Sequence, residues 1–243
     1  PYSAINNFIR PCVRSCKADA IHMAETGEAE IDYEKCVSCG ACVTQCPFGA
    51  TVDKSYITNL IDMIKGSEGN TKYKVNAIIA PAFVSQFDYA TIGQVIQGLR
   101  ELGFEGIYEA AQGADLVAYY EAKELEEKGF LTTSCCPAFV EYIEKNFPDL
   151  VPNISHNLSP MGTIGKIIKD EDPTCKNIFI GPCTAKKAEF QLEKVKDYID
   201  CVITFEELQA LFDSKDIDIE NLESTPIDDA TPFGRGFAKS VGV

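Results

Sequence analysis

The run CVSCGACVTQCP constrains this chain more than any other stretch. It sets Cys36, Cys39, Cys42 and Cys46 at spacings x2, x2 and x3, with Pro47 directly after. Thiols recurring every third residue on a short loop can wrap one iron–sulfur cubane, while the fourth turns to a second cluster. Gly40 permits the tight turn round an inorganic core. The amides of such a loop point at the sulfurs and offset their charge. A zinc site more often uses two separated C-x2-C pairs. Upstream, RPCVRSCKADAI supplies Cys12 and Cys16. The pairing rule gives Cys16 to the cluster of Cys36, Cys39 and Cys42, and leaves Cys12 and Cys46 for a second cluster. Two further ligands of that cluster are expected where Asn7 and Ala4 stand, and neither binds iron as a thiolate does. Cys12 and Cys46 are therefore either half of a second site or inert.

The chain holds 11 cysteines, an odd count, and opens without the basic-then-apolar layout of an export signal. Grouped thiols in that setting point to metal or redox chemistry in a reducing cytoplasm, not to a disulfide framework. No apolar run approaches the roughly 20 residues that span a bilayer; the longest, AIIAPAFV, is broken by Pro81. The net charge of −15 repels nucleic acid and anionic lipid, so neither is expected as a partner. The acidic runs at 121–128 and 213–223 read as solvated helix surface.

Two textures divide the chain. Residues 1–56 are short, cysteine-dense and turn-rich, which suits a small α+β iron–sulfur domain. A polar linker, 57–72, follows a short helix at about 55–65. From 73 to 243 apolar runs alternate with amphipathic stretches, which predicts an α/β domain with a mostly parallel sheet. Strands are expected at 75–80, around 104–110, and at 130–134, 177–181 and 200–205. Asp88 is placed to cap a helix carrying Val95, Ile96, Leu99 and Leu102, and Thr204 with Glu207 forms a capping box. Helices are also expected over 113–128 and 137–147 and after Ser159-Pro160. Ligands gather beyond the C-terminal ends of parallel strands. Cys135, Cys136 and Cys183 each follow an expected strand, so they are candidates for one shared site.

The twin thiols in TTSCCPAF suggest a division of labour. One would bind metal and its neighbour would carry a proton, a role suited to a group that titrates within a few units of neutral. GPCTAKKAE adds Cys183 and, close by, Lys186. Spacing alone leaves open that Cys136 and Cys183 are buried apolar cysteines.

Behind a ferredoxin-like module, TSCCPAF and GPCTAKKAE resemble the first two signature motifs of the [FeFe]-hydrogenases. The likeness runs from Cys12 to the GRGFAKSVGV end. It implies an enzyme of reversible proton reduction to H2. A [4Fe–4S] cluster bridged by one cysteine to a two-iron unit with CO, cyanide and a dithiolate would form its centre. By the motif match, Cys136 and Cys183 would ligate that cluster, Cys135 would be the proton-relay thiol, and Lys186 would hydrogen-bond a cyanide. Ala80 and Pro81 would line the opposite side of the pocket. A proton path would run from a Glu-x-x-Glu helix, matched by Glu121 and Glu124, through a serine, matched by Ser155, to the thiol, although those two glutamates also fit an exposed acidic face. A ferredoxin or similar low-potential carrier would supply electrons, docking on a patch less negative than the rest. Three departures stand out. Phe139 replaces a tryptophan and Gly181 a methionine. The family's last motif, which brings two more cysteines, is absent, so the chain reads as part of a longer protein. A non-catalytic relative, serving as H2 sensor or in Fe–S assembly or electron transfer, is the alternative. Cys175 and Cys201 lack the family spacing and read as structural.

Overall fold

The computed structural model describes residues 10–226. Ala4, Asn7 and the GRGFAKSVGV stretch lie outside the described residues. The N-terminal module begins with α1 (Pro11–Ser15), then an antiparallel pair, β1 (Ile21–Met23) and β2 (Ala29–Ile31), and a one-turn helix α2 (Ala41–Thr44). Gly40 caps α2 at φ 76°, a left-handed backbone that other residues enter only at a cost.

α3 (Ile57–Gly66) leads into the α/β unit. Its chain order is β3 (Val75–Ile79), α4 (Phe83–Gln86), α5 (Ile92–Leu102), β4 (Ile107–Glu109), α6 (Ala110–Lys128) and α7 (Pro137–Asn146). A 3-10 turn (Pro148–Asn153) follows, then α8 (Pro160–Glu171), β5 (Lys176–Gly181), α9 (Lys186–Glu189), β6 (Cys201–Thr204), α10 (Phe205–Ser214) and a last 3-10 turn (Ile219–Asn221). The four long-range strands form one parallel sheet in the order β4-β3-β5-β6. β3 is buried at every residue, as is β6, which is why both read as continuous apolar runs and not as alternation. Helices cover the faces. α5 contributes Val95, Ile96 and Leu99, and α10 contributes Leu208 and Phe212. Phe87 packs edge-on against Phe205 and Phe212, with centroids 5.8 and 6.2 Å apart. Each such side chain contributes about 1.5–3 kcal/mol by leaving water.

The helix boundaries follow local chemistry. Pro137 and Pro160 sit in first turns, where an amide would have no partner anyway. The capping box of Thr204 and Glu207 forms, and Ser159 caps α8 through the Gly162 amide. The expected cap at Asp88 does not form. Thr91 caps α5 with Gln94, because a threonine followed at N3 by glutamine satisfies two amide donors reciprocally. The expected strand at 130–134 is not a strand of the sheet. It makes a single parallel bridge, Thr132 to Ile154, held by Thr132 N–H to Asn153 O and Ser155 N–H to Thr132 O, both 2.8 Å. The stretch is too polar and too exposed at Phe130 to fill an interior strand. Cys183 therefore lies just past a strand end, whereas Cys135 and Cys136 do not. They sit in the extended turn that starts α7.

Candidate active site

Extended backbone turns successive side chains in opposite directions. That property separates the twin thiols. Cys136 is the N-cap of α7 with φ −103° and ψ 106°, and its side chain is exposed. Cys135 lines a cavity of about 200 Å³. Ala80 and Pro81 from the end of β3 and Lys186 from α9 line it too, with Met161 and Phe179 adding apolar surface. The Lys186 ammonium donates to the Cys135 carbonyl at 3.0 Å and is paired with the Glu189 carboxylate at 2.5 Å, both side chains nearly dry. Burial pushes the Cys135 thiol up, the Thr133 hydroxyl and Lys186 pull it down, and Cys136 and Glu121 push it further. Cys183 is also raised, first by burial, with Cys136 among the groups that add to the rise. Neither the thiol at 136 nor that at 183 belongs to the apolar core.

Gly181, where the family carries methionine, has no room for a side chain. A Cβ there would meet the Phe179 ring at 2.8 Å and the Ala80 Cβ at 3.0 Å. The ring of Phe179 fills the space that a larger residue 181 would need.

Two carboxylates of α6, Glu121 and Glu124, are withdrawn from solvent, whereas Glu126 and Glu127 on the same helix are exposed. Glu121 is 8% exposed and accepts from the Ser134 amide at 3.3 Å. This corrects the reading of 121–128 as solvated surface at that position. Burial raises the Glu121 carboxyl, and bonds from the Ser155 hydroxyl and the Ser134 amide offset part of the rise. Glu124 lies one turn outward. Burial works to raise it too, but Lys128 and the His156 amide outweigh that and hold it below the usual carboxylate range. Its oxygens meet Lys128 at 2.8 Å, His156 Nδ1 at 2.9 Å and Asn157 Nδ2 at 3.1 Å. Asn157 Nδ2 also donates to Ser155 Oγ at 3.0 Å. A polar chain therefore runs Glu124–Asn157–Ser155–Glu121 toward the cavity of Cys135. Ser155 is buried. Sequence reading missed Ser134, Asn157 and Glu189. Glu189 had a legible signal, since it stands three residues after Lys186 on the same helical turn. Ser134 and Asn157 had none, because only the fold brings them to α6.

In the N-terminal module, Cys16, Cys36, Cys39 and Cys42 line one cavity of about 450 Å³, and Cys12 and Cys46 do not line it. Cys16 Sγ accepts the Ala20 amide at 3.2 Å and Cys36 Sγ the Ser38 amide at 3.4 Å. Burial pushes the Cys42 thiol up and its own amide pulls it down. The Cys36 and Cys39 thiols then add to the rise, a conflict that bound iron reverses. Among the described residues no three His, Cys, Asp or Glu side chains close tightly enough to hold a single ion. Cys46 lies elsewhere in the module, held below its usual value by the amides of Phe48 and Ala50.

At the second position the chain offers two thiols, Cys136 and Cys183, and a cubane needs four. Cys175 and Cys201 cannot complete it. Both are fully buried, and they stand at the strand starts of β5 and β6, at the opposite edge of the parallel sheet. The residues present therefore fit part of such a centre: two thiols, a pocket and a cation lining it.

Among the described residues no helix is long and apolar enough to cross a membrane. Two family models match: iron only hydrogenase large subunit, C-terminal domain, over residues 73–243, and a 4Fe-4S binding domain over residues 29–51. The cytosolic Fe-S cluster assembly factor NAR1 of Kluyveromyces lactis is 26% identical over 89% of this chain and 52% of its own length. Iron hydrogenase 1 of Clostridium pasteurianum is 33% identical over 76% of this chain and 36% of its own. A solved structure of the [FeFe]-hydrogenase HydA1 from Chlamydomonas reinhardtii, a variant, superposes with TM-score 0.63 at 25% identity, over 75% of this chain and 53% of that one. The chain spans about half, or less, of the length of these relatives.

Proposed function

Because the chain belongs to the iron-only hydrogenase large-subunit family, we propose that its complete protein catalyses 2H⁺ + 2e⁻ ⇌ H₂. The observation that supports this most is that Cys135 and Lys186 line one small cavity, with Glu121, the inner end of the polar chain from Glu124, close enough to act on the Cys135 thiol. A scaffold has no use for a thiol and a buried ammonium facing the same small space.

Cys16, Cys36, Cys39 and Cys42 would hold a [4Fe–4S] cluster, and Cys136 and Cys183 would contribute half the ligands of the catalytic one. When bound, the iron centre supplies the electrons and the open metal position at which protons are reduced. The chain's own residues do the rest. Lys186, anchored by Glu189, presents a fixed positive charge in a site poor in water, where it is worth far more than in solvent. Ala80, Pro81 and Phe179 exclude water from the pocket. Glu124, one turn outward, would take up a proton, Ser155 would pass it to Glu121 and Glu121 to the Cys135 thiol, while Asn157, whose Nδ2 donates to both Glu124 and Ser155 and carries no proton itself, holds the two in line. Raised values at Glu121 and Cys135 favour the protonated forms that such a relay needs. A low-potential carrier such as a ferredoxin would load the N-terminal cluster, in the reducing cytoplasm that 11 thiols suit. Cys12 and Cys46 would join a second cluster only with two ligands supplied from elsewhere.

The deciding experiment replaces Cys135 with Ala in the full-length protein carrying its clusters. Loss of H2 evolution with unchanged EPR signals supports the relay. Unchanged turnover sinks it. The assembly-factor relatives favour a second reading, in which the protein passes clusters on and evolves no H2. A wild-type protein that carries all its clusters yet evolves no H2 from a low-potential donor would select that reading.

A further inference from the structure

Lys187 follows the cavity lysine by one residue and serves neither the pocket nor the proton chain. Its side chain is 6% exposed. Its ammonium lies 2.6 Å from Asp53 Oδ2 and 2.7 Å from Glu207 Oε2. Asp53 belongs to the segment that leaves the N-terminal module. Glu207 belongs to the first turn of α10, where the same carboxylate oxygen accepts the Thr204 amide at 2.7 Å. Lys187 and Asp53 also line the cavity of Cys16, Cys36, Cys39 and Cys42. A dry cation between two carboxylates thus forms part of the wall around that cavity. Other contacts fix the same loop against the module. Thr184 Oγ1 donates to Ser38 O at 3.3 Å, and Gln191 Nε2 donates to the Tyr56 hydroxyl at 3.1 Å.

We propose that Lys187 is a positioning residue that also acts electrostatically. It pins the N-terminal module to the α/β unit and holds the reduction potential of the module's cluster up. The inference rests on the reading that Cys16, Cys36, Cys39 and Cys42 carry a [4Fe–4S] cluster. Adding an electron makes that cluster more negative. A nearby cation stabilises the reduced form and a nearby anion opposes it, and burial at Lys187 limits the screening of its charge. The triad carries one positive and two negative charges. Removing the lysine leaves two anions and lowers the potential, whereas neutralising Asp53 removes one anion and raises it.

The test is an EPR-monitored redox titration of the N-terminal cluster in the reconstituted chain, with K187Q, D53N, the double variant and K187R. The expected result is a negative shift for K187Q, a positive shift for D53N, an intermediate value for the double variant and a near wild-type value for K187R. A purely structural clamp predicts otherwise. Both single variants would loosen the same contact, admit the same water and move the potential in the same direction. Shifts of equal sign, or none, overturn the proposal. A wild-type chain that binds no iron and gives no EPR signal refutes the cluster reading itself, and is told apart from the other outcomes before any variant is compared.

Discussion

At Glu121 one carboxyl carries both a functional and a stability consequence. In Glu121→Gln of the loaded, full-length protein, H2 evolution should fall by about 10²–10⁴-fold, the usual worth of a positioned proton-transfer group, with cluster EPR signals unchanged. The pH dependence of stability follows from the same burial. The folded value of Glu121 lies above its unfolded one, so folding favours the protonated form. That contribution is complete below the ordinary carboxylate value and is lost as the pH rises through the folded value. Glutamine cannot ionise. Urea melts of Glu121→Gln against wild type, across a pH series, should therefore show the difference shifting toward the variant as the pH climbs from the ordinary carboxylate value, then levelling. Glu124 has the opposite sign, and its contribution fades as the pH falls. A second expectation concerns Cys201, which burial pushes up to about 12. Iodoacetamide should label it only when the chain is unfolded in denaturant, while the exposed Cys136 reacts in the native state of the metal-free chain. At this scale the thiols and Lys186 were legible because motif spacing names them. Ser134, Asn157 and Lys187 were not, since each gains its meaning from a partner far away in the chain.

Among the elements, α6 and α8 approach so closely that Gly113 has no space for a methyl group. A Cβ there would meet the Pro160 carbonyl oxygen at 2.3 Å. Gly→Ala inside a helix ordinarily stabilises by roughly 0.5–1 kcal/mol. Here Gly113→Ala should instead destabilise, in the range of about 1–3 kcal/mol typical of overpacking, read as a lower urea midpoint. Because α6 carries Glu121 and α8 follows directly on the loop with Ser155, the same change should also weaken the proton chain. Gly40 is a second tight point, where a Cβ would meet Thr184 Oγ1 at 2.3 Å. Gly40→Ala should cost stability both from its left-handed φ and from that contact. Adding Thr184→Ala should recover only the contact's share, which a double-mutant cycle of melts resolves. The strands β3, β5 and β6 were legible from their apolar runs, and the capping box of α10 from two residues. The segment 130–134 was misread because Phe130, Leu131 and two threonines suit a strand while its exposure denies it a place in the sheet. No periodicity argument sees tertiary exposure.

Taken whole, the molecule would on the proposed reading have one iron-binding position that Cys16, Cys36, Cys39 and Cys42 complete and one that Cys136 and Cys183 half complete. Reconstitution of the described chain should therefore yield about four irons with matching sulfide, one [4Fe–4S] complement. Cys39→Ser should remove most of that iron while Cys136→Ser leaves it. A metal analysis finding eight irons in the chain alone would refute this ligand count. The 182–187 loop meets the N-terminal module where Thr184 bonds Ser38, while Glu124 is paired with the exposed His156. If turnover runs as proposed, charge enters by two doors that do not share a threshold. A bulky redox donor seated on the module leaves the aqueous gate open, so either supply can be throttled without starving the other.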